Sequence, residues 1–170
     1  FNFSRNGVGP DLQNFTELDM FEKNTYSHEL QDLNCIINAI ESGEIGKGLI
    51  DPERIGLIGH SRGGGIAILH TQNDPRIKSL VTWSAIAHVE RYSADQIKLW
   101  KSQKYLEFEN KRTGQLMRVG IELLKDIEKN KKKLNIASAA EKIVTPTLII
   151  HGQEDESVPV EEAQIIYDHL

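Results

Sequence analysis

The sequence has a single cysteine, no long apolar run and no excess of positive charge, and each absence excludes a class of protein. Because Cys35 is the only cysteine in 170 residues, a disulfide framework and a thiolate metal cluster are excluded. A formal net charge of −5 argues against nucleic acid as the main partner. No apolar stretch approaches the ~20 residues of a membrane-spanning helix, and no signal peptide is visible. We therefore predict a cytoplasmic location and no membrane partner.

What the chain does contain is an ordinary globular composition, with 39% hydrophobic and 26% charged residues. That composition and a length of 170 residues suit one domain with a sizeable core. The lysine-dense run at residues 129–133 is typical of the solvated end of a helix, where cations suit the helix dipole. Composition alone names no function, so the motifs must supply it.

The most informative stretch places a serine between an apolar strand and an apolar helix. Residues 59–63 read G-H-S-R-G, after the apolar run Ile55–Ile58 and before the segment Ile66–Leu69. The first run is typical of a strand buried on both faces, and the second of a buried helix. An abrupt strand-to-helix turn strains the backbone of its corner residue and exposes that side chain at the top of the sheet.

The corner residue is Ser61, and its surroundings suit a nucleophile. Gly59 and Gly63, two positions on either side, are predicted to let strand and helix approach without Cβ clashes. The corner also lies at a helix N-terminus, where N–H groups stabilise an anion. The alternative is a serine in an ordinary glycine turn. The strand before it and the helix after it favour the nucleophile.

The wider pattern predicts an α/β fold with a mostly parallel sheet. Phe1–Ser4 is interpreted as the tail of a strand, and a helix is predicted from about Tyr26 to Ser42 because its apolar residues recur at spacings of three and four. Ile77–Ser84 is the next apolar strand. Strands that alternate with helices pair in parallel through right-handed crossovers. Such a sheet delivers Ser61 to its carboxyl edge, where ligands bind.

The alternation of strands and helices stops between residues 88 and 143. Ser93–Gln96 fits a capping box that begins a helix, and Tyr105–Asn110 with Gln115–Val119 predicts a hairpin. An amphipathic helix is predicted over Ile121–Lys131. We interpret the segment as a cap over the carboxyl edge that sets substrate selectivity. The alternative is a packed excursion with no part in binding.

A cluster of acidic residues follows the last predicted strand, Thr145–Ile150. Glu154, Asp155 and Glu156 all lie just past its carboxyl end, on the edge of the sheet that carries Ser61. A carboxylate there can hold an imidazole in the right tautomer and stabilise it as a cation. From the pattern alone the three residues compete for that role, and the alternative is a solvated acidic turn before a helix.

Two stretches of the chain carry a resemblance to a known family. Residues 50–65 read I-D-P-E-R-I-G-L-I-G-H-S-R-G-G-G, and residues 145–159 read T-P-T-L-I-I-H-G-Q-E-D-E-S-V-P. These motifs resemble the α/β-hydrolases, in particular the dienelactone-hydrolase and prolyl-oligopeptidase-like serine esterases. The family pattern H-G-x-x-D-x-x-V-P fits the second motif residue for residue and selects Asp155.

The resemblance implies an α/β-hydrolase fold with flanking helices and an inserted cap. Residues 1–87 would form the hydrolase core from its fourth strand onward, with the nucleophile elbow. Residues 88–143 would form the cap insertion. Residues 144–170 would return to the core with the acid strand and the helix after it.

The resemblance also implies a chemistry for the site. Ser61 would attack a carboxylic ester and form an acyl-enzyme, with Asp155 orienting a catalytic histidine and the Arg62 backbone N–H in the oxyanion hole. The elbow residues are Gly59, His60 and Gly63. No metal and no organic cofactor is implied, the expected partner is a small-molecule ester, and the oligomeric state is not predicted.

Two departures from the family pattern bear on activity. The family's catalytic histidine follows the acid after one further strand, whereas the only histidine beyond Asp155 is His169, which the pattern places on a helix before that strand. The family's first three strands and the loop that lends a second oxyanion N–H would precede Phe1, and its last strand is lacking. The chain is therefore interpreted as the middle of a longer hydrolase; the alternatives are a partly ordered chain or a remnant of the fold without activity.

Three functions follow, from different classes. The first is a serine carboxylesterase or related acyl hydrolase. The second is a peptidase of the prolyl-oligopeptidase-like family, which would need a cleft that admits peptides. The third is a non-catalytic module that keeps the fold but not the mechanism.

Overall fold

The structure is a computed structural model that describes residues 1–11 and 14–170. Across those residues it contains seven α-helices and five β-strands. The helices are α1 (Leu18–Glu22), α2 (Tyr26–Glu41), α3 (Arg62–Thr71), α4 (Ala94–Gln103), α5 (Ile121–Lys129), α6 (Ile136–Ala140) and α7 (Glu161–Asp168). The strands are β1 (Ile55–His60), β2 (Ile77–Trp83), β3 (Tyr105–Glu109), β4 (Leu116–Gly120) and β5 (Thr147–Ile150).

The chain divides into two compact units. One comprises residues 1–32 and 90–131, and the other comprises residues 33–89 and 132–170. The cap boundaries expected from the sequence, at residues 88 and 143, stay a prediction. No helix in the described part of the chain is long and apolar enough to cross a bilayer.

The second unit is built on a three-stranded parallel sheet in the order β1-β2-β5. Helix α3 joins β1 to β2 and packs against both strands, as the alternation of apolar strand and apolar helix predicts. Ile68 of α3 and Ile166 of α7 are fully buried, so the core lies between the helices and one face of this sheet. The parallel sheet with flanking helices confirms the predicted fold class.

The other face of the sheet is exposed, and the prediction that the elbow strand is buried on both faces is wrong. Ile58 is 76% exposed and Leu148 is 56% exposed. Strand register aligns Ile58 with Val81 and Val81 with Leu148, so these side chains share one face. The apolar composition of a strand indicates that both of its faces can be buried, but it does not show whether helices pack on both faces of the sheet.

Local signals in the first unit predict its elements closely. Ser93 caps α4 in a complete capping box, accepting from the Gln96 backbone N–H while the Gln96 side chain accepts from the Ser93 N–H. Strands β3 and β4 form the predicted antiparallel hairpin, with Tyr105 opposite Gly120. The predicted strand at residues 1–4 is wrong, because no strand forms there.

Candidate active site

The backbone of Ser61 has the strained conformation that a strand-to-helix corner demands. Its φ is 53° and its ψ is −120°, a region that costs a non-glycine residue about 1–3 kcal/mol. The Ser61 N–H donates to the Trp83 carbonyl (2.9 Å), and the Ser61 carbonyl accepts from the N–H groups of Gly64 (3.0 Å), Gly65 (3.3 Å) and Ile86 (3.2 Å). Its hydroxyl makes no hydrogen bond with any described residue. The main chain therefore holds the corner and leaves the hydroxyl available for chemistry.

The glycines around Ser61 do not share the same role. A Cβ on Gly59 would lie 2.5 Å from the Gly63 carbonyl oxygen, and a Cβ on Gly64 would overlap the Ala85 Cβ. A Cβ on Gly63 would meet nothing within 4 Å. The prediction that Gly63 provides the close approach is therefore wrong. Gly64 provides it, because that residue faces the chain just after β2.

The predicted oxyanion-hole residue, Arg62, and the predicted elbow residue His60 lie on either side of Ser61. Arg62 is the first residue of α3, so its backbone N–H lies at the positive end of the helix dipole. The His60 side chain is exposed at the end of β1. Its ring meets the Trp83 ring edge to face, with centroids 5.5 Å apart. His60 therefore belongs to the exposed face of the sheet.

Asp155 is held by the loop that follows β5. Its Oδ1 accepts from the backbone N–H groups of Ser157 (2.9 Å) and Val158 (3.0 Å). The His151 Nε2 donates to the Val158 carbonyl at 2.8 Å and so ties the start of the loop to its end. The competing residues Glu154 and Glu156 are exposed. The loop geometry thus distinguishes Asp155 from its acidic neighbours, as the motif does.

A residue that sequence reasoning missed, Ser84, also influences Asp155. It follows β2, is 5% exposed and has a φ of 45°. Its N–H donates to the Ile150 carbonyl at 2.8 Å, and its hydroxyl is among the groups that lower the pKa of Asp155. The Val158 backbone N–H, then the Ser84 hydroxyl and the Ser157 N–H, lower the pKa of Asp155 to about 2. No short spacing in the sequence links Ser84 to Asp155, so sequence reasoning had no signal with which to find it.

The three strands bring these groups to one edge. Ser61 follows β1, Ser84 follows β2 and Asp155 lies in the loop after β5, and these strands are neighbours in that order. Since adjacent strands lie ~4.8 Å apart, the ends of β1 and β5 are separated by about 10 Å. Ser61 and Asp155 therefore share the carboxyl edge, with Ser84 between their strands.

The histidines of the chain are engaged elsewhere. Within residues 1–11 and 14–170, none is hydrogen-bonded to Ser61 or Asp155. His169 follows α7, where its Nδ1 donates to the Ile165 carbonyl at 2.8 Å and its Nε2 lies 3.8 Å from Glu141. His88 is exposed. In the described part of the chain, the candidate nucleophile and the candidate acid therefore have no histidine hydrogen-bonded to them.

A second charged cluster lies at the opposite end of β2. The His70 Nε2 donates to Asp74 Oδ2 at 2.8 Å, and Arg76 forms two hydrogen bonds with the same carboxylate at 2.7 and 2.8 Å. Arg76 also bonds Glu41 and Asn38 of α2. The Arg76 guanidinium lowers the pKa of Asp74 to about 2, and burial lowers the pKa of His70. This cluster joins α2, α3 and β2 away from the candidate site.

Comparison with known proteins assigns this arrangement to a family. The BD-FAE family model matches residues 16–170. The chain belongs to the BD-FAE family. Because BD-FAE is an α/β-hydrolase family, the resemblance of the two motifs to that superfamily is confirmed. No curated protein matches the sequence.

Solved structures of α/β-hydrolases share the fold of this BD-FAE chain. The acylaminoacyl peptidase of Pyrococcus horikoshii is 23% identical with a TM-score of 0.63, over 92% of this chain and 23% of that one. One of the metagenome-derived lipolytic enzymes LipS and LipT is 18% identical with a TM-score of 0.67, over 93% and 64%. The monoacylglycerol lipase of Paleococcus ferrophilus is 18% identical with a TM-score of 0.63, over 87% and 62%. The chain spans less than two thirds of each of these structures, and the likeness establishes the fold.

Proposed function

We propose that the protein containing this chain is a serine hydrolase that acts on carboxylic esters through an acyl-enzyme. The observation that carries the proposal is the pairing of Ser61, in a strained conformation with φ 53°, with the Asp155 carboxylate on the same sheet edge. The donors around Asp155 lower its pKa to about 2, so it is ionised at neutral pH. A hydroxyl at a strained corner and a fixed carboxylate are two of the three members of a hydrolytic triad.

The chemistry follows from these two groups. Ser61 Oγ attacks the ester carbonyl while an imidazole takes its proton, and the tetrahedral intermediate places negative charge on the carbonyl oxygen. The Arg62 backbone N–H, at the start of α3, stabilises that oxyanion, a contribution of about 3 kcal/mol for one donor. The imidazolium then protonates the leaving alcohol. In the second half of the reaction, the imidazole takes a proton from a water molecule, which attacks the acyl-enzyme. The imidazolium then returns the proton to Ser61 Oγ as the carboxylic acid leaves.

The base of this mechanism comes from outside residues 1–170. This part of the proposal is supported by the described histidines, none of which is hydrogen-bonded to Ser61 or Asp155. The ~10 Å between the ends of β1 and β5 accommodates one such ring. We therefore expect residues 1–170 alone to turn over no ester.

A peptidase is the second candidate. It is favoured by the fold shared with the Pyrococcus horikoshii acylaminoacyl peptidase over 92% of this chain. The acyl-transfer machinery is the same for esters and amides, and the difference lies in what the binding cleft admits. Substrate preference therefore separates the two candidates.

The test uses the complete protein and a fluorophosphonate probe together with short p-nitrophenyl esters and peptidyl amides. We expect labelling and ester hydrolysis, both abolished by Ser61→Ala. Ser42→Ala is the matched control, since Ser42 is an exposed residue whose hydroxyl bonds only the Ala39 carbonyl at 3.2 Å. Amide cleavage without ester hydrolysis would replace the esterase with the peptidase. No labelling of the wild-type protein would reject both and leave a non-catalytic module.

A further inference from the structure

We infer that Glu162 is a positioning residue whose carboxylate ties the helix after the acid loop to the segment that holds Ser61. The inference rests on the proposed function, because it assigns a role within that site. It concerns a residue of α7 that lies outside both sequence motifs.

The segment that follows β2 holds the nucleophile corner through its main chain. The Ile86 N–H donates to the Ser61 carbonyl at 3.2 Å. The next residue, Ala87, is 1% exposed, and its N–H donates to Glu162 Oε2 at 2.6 Å. Because peptide units are planar, only the two backbone dihedral angles of Ile86 separate these N–H groups. A shift at Ala87 therefore moves the group that holds Ser61.

The other end of the connection is the loop that carries the acid. Asp155 accepts from the Val158 N–H at 3.0 Å, and the Pro159 carbonyl that follows accepts from the Glu162 N–H at 3.0 Å. The main chain of Glu162 is thus fixed to the acid loop, while its side chain is fixed to Ala87. Glu162 therefore links the two segments whose relative position sets the distance between nucleophile and acid.

The contact with Ala87 distinguishes Glu162 from its neighbour on the helix. Glu161 is exposed, so the first turn of α7 already has a carboxylate that complements the helix dipole. Within the described residues, Glu162 is the acceptor of the buried Ala87 N–H, and a buried N–H without an acceptor is costly. A bond to a carboxylate is also stronger than one to a neutral oxygen. Glu162 thus has a role that the helix dipole does not explain.

The experiment separates the reach of the side chain from its charge, in the complete protein. Glu162→Asp keeps the charge, but its side chain is one methylene shorter and loses the Ala87 N–H. Glu162→Gln loses the charge but keeps an oxygen at the same reach. We expect kcat on a p-nitrophenyl ester to fall about tenfold in Glu162→Asp with KM unchanged, because the nucleophile is displaced. In Glu162→Gln the bond persists in its weaker neutral form, and kcat should stay within about threefold of the wild type.

Glu161→Asp is the matched control, since it makes the same change at the exposed neighbouring residue. It should keep the wild-type kcat. An unchanged kcat in Glu162→Asp would overturn the inference. So would an equal loss of kcat in Glu162→Asp and Glu162→Gln, or an equal loss in Glu162→Asp and the control.

A second readout follows the connection itself and does not depend on turnover. Hydrogen exchange measured by NMR should become faster at the Ala87 and Ile86 amides in Glu162→Asp, because the lost bond removes local protection. Both amides should exchange as in the wild type in Glu161→Asp. A role confined to the stability of α7 would leave Ile86 unchanged, and that result would overturn the inference.

Failure of the proposed function gives a different result. A wild-type protein that hydrolyses neither ester nor amide and escapes the fluorophosphonate rejects the proposed function, and the inference with it. An active wild-type protein whose kcat withstands Glu162→Asp overturns the inference alone.

Discussion

Two carboxylates of the second unit, Asp74 and Asp155, both have a pKa lowered to about 2, but the hydrogen-bond donors that lower it are charged at Asp74 and neutral at Asp155. Asp74 is buried between a guanidinium and an imidazole, Arg76 and His70. Asp155 accepts from two backbone N–H groups, and the Ser84 hydroxyl also contributes to its lowered pKa. The negative charge of Asp74 is neutralised by the neighbouring guanidinium. The carboxylate of Asp155 is oriented by neutral donors and retains its negative charge.

We expect this difference to give the two carboxylates different roles. The one at the amino end of β2 contributes to stability, and the one at the carboxyl end serves the proposed chemistry. A carboxylate paired with a fixed cation has satisfied its electrostatic demand, so its contribution is to stability. A carboxylate held by neutral donors can still stabilise a cation that forms during a reaction. A low pKa alone therefore does not identify a catalytic acid; the charge of its partners does.

The largest effect is expected at Asp155. Asp155→Asn should lower kcat on an ester in the complete protein by about 10⁴-fold, because an amide favours the wrong imidazole tautomer. The free energy of unfolding, measured by urea titration, should change little. If this variant kept more than a tenth of the wild-type rate, Asp155 would not be the acid and the comparison would fail at its catalytic end.

The reverse outcome is expected at Asp74. Asp74→Asn should lower the free energy of unfolding by about 3 kcal/mol, since it leaves the buried His70 and the half-buried Arg76 without their carboxylate. The kcat of the folded protein should be unchanged, because this cluster lies at the amino end of the sheet. If the folded variant lost activity without losing stability, the assignment of Asp74 to stability and Asp155 to catalysis would be contradicted.

Two adjacent glycines in the first turn of α3 allow a steric test. Gly64→Ala should destabilise the protein by about 1–3 kcal/mol, because the new Cβ overlaps the Ala85 Cβ. Gly63→Ala is the matched control in the same turn; it meets open space and should be neutral or slightly stabilising. Thermal unfolding of both variants measures the difference, and equal destabilisation would refute the close approach at residue 64.

The smallest effect is on the pH dependence of stability. The folded pKa values of His70 and Asp74 lie below their ordinary values of 6.5 and 3.8, so the unfolded state binds protons first as pH falls. Stability should therefore decline as pH falls below about 6.5 through His70, and again between 3.8 and about 2 through Asp74. His70→Gln should remove the first decline and keep the second. Identical unfolding curves for this variant and the wild type at pH 7 and pH 5 would contradict the assignment to His70.

Sequence patterns predicted what depends on short spacings. The Ser61 corner needs a strand, a helix and glycines within a few residues, and the box of Ser93 and Gln96 needs only two residues three apart. The position of Ser84 could not be found in this way, because its backbone bond to Ile150 depends on the alignment of β2 with β5. The same limit applies to Gly64, whose neighbour Ala85 lies beyond β2.

The missed elements have a common physical basis. Helices α1 and α6 have five residues each, which is too short for an apolar period to stand out or for the helix to form without tertiary packing. The predicted strand at residues 1–4 fails because an apolar run says nothing about a partner strand with which to pair. The exposed face around Ile58 reflects the same limit, since strand composition does not report which helices lie over it.

The backbone bonds of Ser61 make its side chain replaceable without disturbing the corner. Four main-chain hydrogen bonds hold the turn, so we expect the side chain at position 61 to be replaceable without a change in the backbone around it. An alanine there should give an inert protein that still captures its natural ester, and a cysteine should give one that accumulates a thioester. Under the proposed function, either variant could serve as bait to recover the esters that bind at this site.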